Sequence, residues 1–230
     1  AILVIAFFVV EKLYEGFNDY MNLLLQNKWF WFCIGIFILE EIVRIVKPKI
    51  KGAIGEGMVS WLLSQLPKEQ YMTIHNVMLK TARGTAQIDH VVVSIYGIFV
   101  IEVKNYAGWI TGKEESNQWT QTIYKKKTHF MNPILQNYGH VKAIETILSD
   151  PTIPIYSIVT FSADATLKVQ VNNSNVIKYG HLKDMIRSLS TEKVMDEYKM
   201  RDIAKLLEIN NVDNAQNRIV HVKTIHAKKS

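Results

Sequence analysis

Asp89, Glu102 and Lys104 have the types needed to hold a divalent cation and to work on a phosphate ester, and they stand in an otherwise apolar stretch. That stretch, Gln87–Lys104, is crowded with valine, isoleucine and phenylalanine around one break at Tyr96-Gly97. The pattern predicts a β-hairpin whose middle is buried on both faces. With Tyr96-Gly97 as the turn pair, Asp89 faces Lys104 and lies diagonally beside Glu102, and period-two alternation gathers all three on one face. A slip of one residue would scatter them.

Two carboxylates brought this close repel each other, and burial alone would raise a pKa or cost stability. A divalent cation resolves the conflict. Mg²⁺, with Mn²⁺ as the alternative, takes hard oxygen ligands, and Asp89 with Glu102 supplies one or two carboxylates to be completed by water and substrate phosphate. The ion would acidify a water and stabilise charge on phosphorus during in-line attack. Lys104 then has two open roles, orienting or activating that water, or stabilising the developing charge. A plainer reading stays open, in which Glu102 and Lys104 form an ion pair with Asp89 at a sheet edge. Charges in so apolar a hairpin require a reason, which favours the first.

The elements that must position these groups follow from periodicity. Apolar residues from Ile54 to Leu66 recur at helical spacing until Pro67, with Glu56 in the first turn. Tyr71–Leu79 reads as a strand, Gly84 as a turn, and further strands lie around Gly108–Gly112 and at Gln118–Tyr124. Asn132 as cap and Pro133 at the first helical position open a helix over Ile134–Leu148. Ile155–Phe161 is a buried strand, helices follow at His181–Ser188 and Thr191–Ile209, and the basic tail after Asn210 is either loose or a late strand. This order is that of an α/β sandwich.

Several polar residues fall near the expected cleft. Gln87 shares the face of Asp89, where it either contacts a phosphate and holds the site or is a strand-edge residue. Gln136 and His140, four apart on one helix, can both point toward the cleft, with His140 as nucleic-acid contact or satisfied buried histidine. Lys125, Lys126 and Lys127 form a basic patch able to track a nucleic-acid backbone, unless they are a solvated loop. Trp119 either stacks a base or fills the core.

Several separated blocks, in order, resemble the nuclease-related domain family, which is similar in motif to the PD-(D/E)xK nucleases. They are Gly55-Glu56, Gly84–His90, Gly97–Asn105, Gly108, Trp119, Asn132-Pro133 and Gln136-Asn137 with His140. The match runs from Gly52 to about Asp150. It implies a restriction-endonuclease-like mixed sheet flanked by helices and a metal-dependent DNA nuclease. Asp89, Glu102 and Lys104 form the core of the implied site, and Glu56 lies near the metal as a further ligand. Ile88 stands where the PD motif has its proline, a departure that leaves the metal residues in place.

Composition sets the limits. The 230 residues are 48% hydrophobic, enough for a sizeable core, and carry a formal charge of +6, which suits a polyanion such as DNA, RNA or anionic lipid. Cys33 is the single cysteine, so no internal disulfide or multi-cysteine zinc site can form. No glycine-rich phosphate loop and no serine or cysteine nucleophile constellation competes with the carboxylates.

The first fifty residues are a different kind of chain. Ala1–Val10 is wholly apolar and reads as part of a helix that begins upstream, and a second apolar block runs from Trp29 to Leu39, flanked by Arg44, Lys47, Lys49 and Lys51. This predicts a hydrophobic helical hairpin, residues 1–46, set in the cell membrane with a loop at about 11–28, ended at Pro48, its basic flank placing the rest in the cytoplasm. The expected organisation is therefore 1–50 membrane-associated helices and linker, 51–165 the nuclease-like domain, and 166–230 a strand and helical extension, with a homo-oligomer as a further expectation. Two other functions stay open: a non-catalytic nucleic-acid-binding module, and a membrane-associated scaffold or signalling protein.

Overall fold

A computed structural model describes residues 2–82 and 84–213. The chain divides into two compact units, Ala1–Lys51 and Gly52–Ser230. The first holds helix α1 (Ile2–Gln26) and the start of helix α2 (Lys28–Leu63), within which the division falls.

The stretch expected as a loop at about 11–28 is helix up to Gln26. Only Asn27 interrupts it, because its side chain accepts from the Trp29 backbone N–H at 2.9 Å and so opens α2 as an N-cap. Nor does α2 stop at Pro48. Proline's fixed φ is itself helical, so its cost is one missing backbone donor and local crowding rather than an obligatory end. Among the described residues no helix is long and apolar enough to cross a membrane, so the expected spanning hairpin is not borne out. Glu11, Lys12 and Glu15 in α1 and Glu40, Glu41 and Arg44 in α2 cut each apolar run short. Leu13, Phe17, Trp29 and Phe37 are exposed between those charges.

The second unit contains two sheets where one was expected. Strands β1 (Tyr71–Thr81), β2 (Gly84–Ser94), β3 (Gly97–Lys104), β7 (Ile155–Phe161) and β9 (Asn175–Lys178) form a mixed five-stranded sheet in the order β1-β2-β3-β7-β9. Strands β4 (Gly108–Lys113), β5 (Gln118–Ile123), β6 (Lys126–Met131) and β8 (Ala165–Gln170) form a mixed four-stranded sheet in the order β6-β5-β4-β8. Helix α3 (Pro133–Leu148) connects β6 to β7, and α4 (Leu182–Leu189) and α5 (Glu197–Ile209) follow β9. Strand β6 was not expected from the sequence, and the C-terminal extension, for which a strand was expected without a stated range, contains β9 and most of β8.

The five-stranded sheet is covered on both faces. Val91, Val93, Ile98 and Val100 pack with Ile144 of α3 and Leu207 of α5. Val92, Phe99 and Ile101 pack on the opposite face with Val59 and Leu63 of α2 and with Leu182 and Ile186 of α4. Each such side chain contributes roughly 1.5–3 kcal/mol of burial, so β2 and β3 read as near-continuous apolar runs. Ile54 and Met58, expected on the buried stripe, are exposed instead, while Gly55, Val59, Leu63 and Leu66 face inward.

The hairpin closes one position earlier than expected. Ser94 pairs with Gly97, so Ile95-Tyr96 is the turn pair, and Ser94 Oγ both donates to Gly97 O at 2.8 Å and accepts from Tyr96 N at 3.1 Å. Serine at the first turn position and glycine at the fourth is the preference of a type I turn. Gly97 has φ of +127°, and a Cβ there would meet Pro154 O at 2.6 Å. The partner of every β2 residue moves by two along β3, and an even shift keeps side chains on their expected faces.

Candidate active site

Asp89 and Glu102 reach each other because the β2–β3 ladder ends just before them. The last paired residues are His90 and Ile101. Continuing that register brings Asp89 opposite Glu102, rather than opposite Lys104. Where main-chain pairing stops, Asp89 Oδ2 accepts from Val103 N at 2.8 Å, so the carboxylate substitutes for a backbone acceptor. On its other edge β3 stays paired in parallel with β7, Glu102 against Val159 and Lys104 against Phe161.

Lys104 Nζ donates to Glu102 Oε1 at 2.5 Å and to Gln136 Oε1 at 3.0 Å. His140 Nδ1 stands 3.4 Å from Glu102 Oε2, which itself accepts no hydrogen bond. Helix α3 thus brings both of its expected polar residues to the cluster. Gln136 holds Lys104, and the His140 side chain is only 8% exposed and turned to Glu102. The helix is fixed by Asn137, whose Nδ2 donates to Val100 O at 2.9 Å, Ser157 Oγ at 2.8 Å and Ile158 O at 3.3 Å. Asn132 opens it as anticipated, its Oδ1 accepting from Ile134 N at 2.9 Å.

The electrostatics are those of a cluster short of positive charge. Burial, and then the neighbouring Glu102 charge, push Asp89 up to about 7, against the opposing pull of Val103 N–H and Lys104. Glu102 is also raised, burial outweighing Lys104. Lys104 is raised although burial opposes it, because Glu102, Tyr106 and Asp89 together favour its charge.

Glu56 enters through a close helix approach. A Cβ at Gly55 would lie 2.6 Å from Tyr179 Oη and 2.7 Å from Asn105 Cβ, so only glycine lets α2 come this near. The Glu56 charge bears on both Glu102 and Tyr179. Tyr179, in a short turn after β9, is the residue that sequence reasoning missed. Its buried hydroxyl has no hydrogen-bond partner, and burial together with Asp89 and Glu56 raises its pKa. No local pattern marks a tyrosine so far along the chain from Glu56; parallel pairing of β9 with β7 delivers it.

Among the described residues no three His, Cys, Asp or Glu side chains converge tightly enough to hold an ion, so Glu56 is not gathered with Asp89 and Glu102 into one ligand cluster. The donor chemistry still fits a hard divalent cation that keeps waters. The half-buried Asp89 and the buried Glu102 face one lysine, and Glu102 Oε2 is buried without a hydrogen bond. Gln87 of β2 is half-buried and pairs with Met78 of β1. Lys125, Lys126 and Lys127 are exposed at the β5–β6 hairpin, Lys126 and Lys127 within a strand where a basic loop was the alternative. Trp119 is fully buried, stacked on Phe161 at 6.2 Å between ring centres. A separate hollow beside β1, lined by Tyr71, His75, Arg201 and Glu208, contains none of the clustered side chains.

Comparison with known proteins bears on the same residues. Positions 51–162 match the family described as nuclease-related domain, a span that includes Glu56, Asp89, Glu102, Lys104, Gln136 and His140. An uncharacterized protein of Bacillus anthracis is 37% identical over 194 residues, covering 83% of this chain and 91% of that protein. No solved structure matches.

Proposed function

The chain belongs to the nuclease-related domain family, and from that premise we propose that it is a divalent-metal-dependent nuclease that hydrolyses DNA phosphodiester bonds at the cluster of Asp89, Glu102 and Lys104. The observation that carries the reading is the pair of carboxylates, Glu102 buried and Asp89 half-buried, matched by one lysine at the end of a hairpin otherwise filled with hydrocarbon. A structural ion pair needs one acid and one base; the second carboxylate is surplus to it.

Asp89 and Glu102 would hold Mg²⁺ or Mn²⁺. Bound there, the ion would stabilise charge on the phosphate and acidify a water. Asp89 would keep its other oxygen for the ion, since Oδ2 accepts from Val103 N–H. Lys104 has two donor hydrogens committed, to Glu102 and Gln136, and its third is available for a phosphate oxygen or the attacking water. Gln136 aims the ammonium, and His140 supports the far oxygen of Glu102. The buried surroundings strengthen each of these interactions.

The 2.5 Å contact between Lys104 and Glu102 favours one alternative, a nucleic-acid-binding module without turnover. Incubating the full chain with plasmid and Mg²⁺ separates the two. The nuclease reading expects cleavage that chelation abolishes, that Asp89→Asn and Glu102→Gln eliminate, and that Lys104→Ala slows about 100- to 1000-fold, the usual cost of removing one donor aimed at developing charge. Undiminished cutting by these variants would exclude the assigned site, and metal-independent binding without cutting would favour the module.

A further inference from the structure

The four-stranded sheet has one face in the core and one in solvent, and the two differ in kind. Ile110, Trp119, Ala165 and Phe161 pack on the inner side. On the outer side Trp109, Lys168, Lys127 and His129 are exposed, with threonines at 111, 120, 122 and 166 between them. Pairing places Trp109 beside Thr122 and Thr166, and Lys168 beside Thr111. None of the four strands contains an aspartate or glutamate. Lys125 and Lys126 extend the basic surface at the β5–β6 hairpin.

We propose that this outer face, centred on Trp109, Lys127 and Lys168, is a platform that binds a single strand of nucleic acid leading to or from the cutting site. The inference rests on the nuclease reading for its purpose, though not for its chemistry. Four strands of six residues give a surface about 14 Å across and 20 Å long, enough for a few nucleotides. Lysines without opposing carboxylates suit phosphates, threonine and glutamine side chains tolerate any base edge, and an exposed indole offers a stacking surface. Duplex DNA would bury its bases from the indole, so the aromatic group favours a single strand.

Lys168 Nζ now sits 3.4 Å from the centre of the Trp109 ring. At an exposed position that cation–π contact is worth about 0.5–1 kcal/mol, less than the roughly 1–3 kcal/mol of a stacked base. A base can therefore replace the ammonium, which swings to a phosphate. The face is also within reach of the carboxylates. Three residues separate Lys104 from Gly108, where β4 begins, a span of at most about 14 Å. Gly108 has φ of +80°, and a Cβ there would run into Thr122 O, so the same end of the sheet carries Trp109, Thr122 and Lys127.

The test is binding of the full chain to a labelled oligothymidylate of about 20 nucleotides, read by fluorescence anisotropy in EDTA so that cutting plays no part. The single strand is expected to bind more tightly than a duplex of equal length. Trp109→Ala should weaken it about tenfold, while Trp109→Phe, which keeps a ring, should recover most of the loss. Lys127→Ala with Lys168→Ala should reduce the slope of log affinity against log salt by about 1.4, or 0.7 for each phosphate no longer neutralised. Lys205→Ala, on α5, should change nothing. Unchanged affinity and salt slope in the outer-face variants, preference for duplex, or no binding by the parent chain would overturn the proposal. Binding as described without Mg²⁺-dependent cleavage would instead remove the nuclease reading and leave the platform standing.

Discussion

The two sheets of the second unit solve the same packing problem differently. The five-stranded sheet is covered by helices on both faces, so β2 and β3 carry apolar side chains at almost every position, and Asp89, Glu102 and Lys104 stand out as charges. The four-stranded sheet is covered on one face, so its strands alternate and its polar residues look ordinary one by one. In the first sheet the departure from pattern marks the candidate site. In the second the pattern itself, repeated across four strands with no acid, makes the surface.

The sharpest break in this contrast comes from deleting volume. Phe99→Ala, at a fully buried centre of β3 stacked on Tyr156, should cost about 3–5 kcal/mol in urea unfolding. A loss below about 1 kcal/mol would mean that the second face is not closed. A smaller effect is tied to pH. Burial, and then the adjacent His75, hold His90 down to about 3 from 6.5, and its Nδ1 lies 2.7 Å from that of His75. Because the folded protein resists this proton, the contribution of neutral His90 is complete above about pH 6.5 and is lost as the pH falls toward 3. Thermal melts from pH 7 to 4 should show that fall, and His90→Leu should flatten it. Least of all, Thr166→Ala on the outer face should shift stability by no more than about 0.5 kcal/mol, which the same urea titration would check.

The hairpin and the gathering of its charged residues were legible because burial on both faces leaves so strong an apolar signature. The register was misread by taking Gly97 for the turn centre, although Ser94 and Gly97 together mark the turn's outer positions. The three charged side chains kept their shared face because the error was even. Strand β6, KKTHFM, has little apolar alternation to announce it, and β9 has only four residues. Their existence depends on neighbours, not on local preference. Tyr179 could not be found from spacing, since two strand pairings bring it to Glu56. The N-terminal helices were recognised as apolar, and their interspersed charges leave each apolar run, among the described residues, shorter than a bilayer span needs.

The position of β3 between β2 and β7 has a consequence for synthesis. A growing chain that has emerged through Lys104 already carries every charged group of the cluster, yet it lacks the α3 residues that aim Lys104 and support Glu102, and the parallel neighbour that holds their strand flat. Those arrive only with α3 and β7, with a long loop to close before the pairing is rewarded. Until the sheet is finished, the charged groups of the hairpin stand without the contacts that order them.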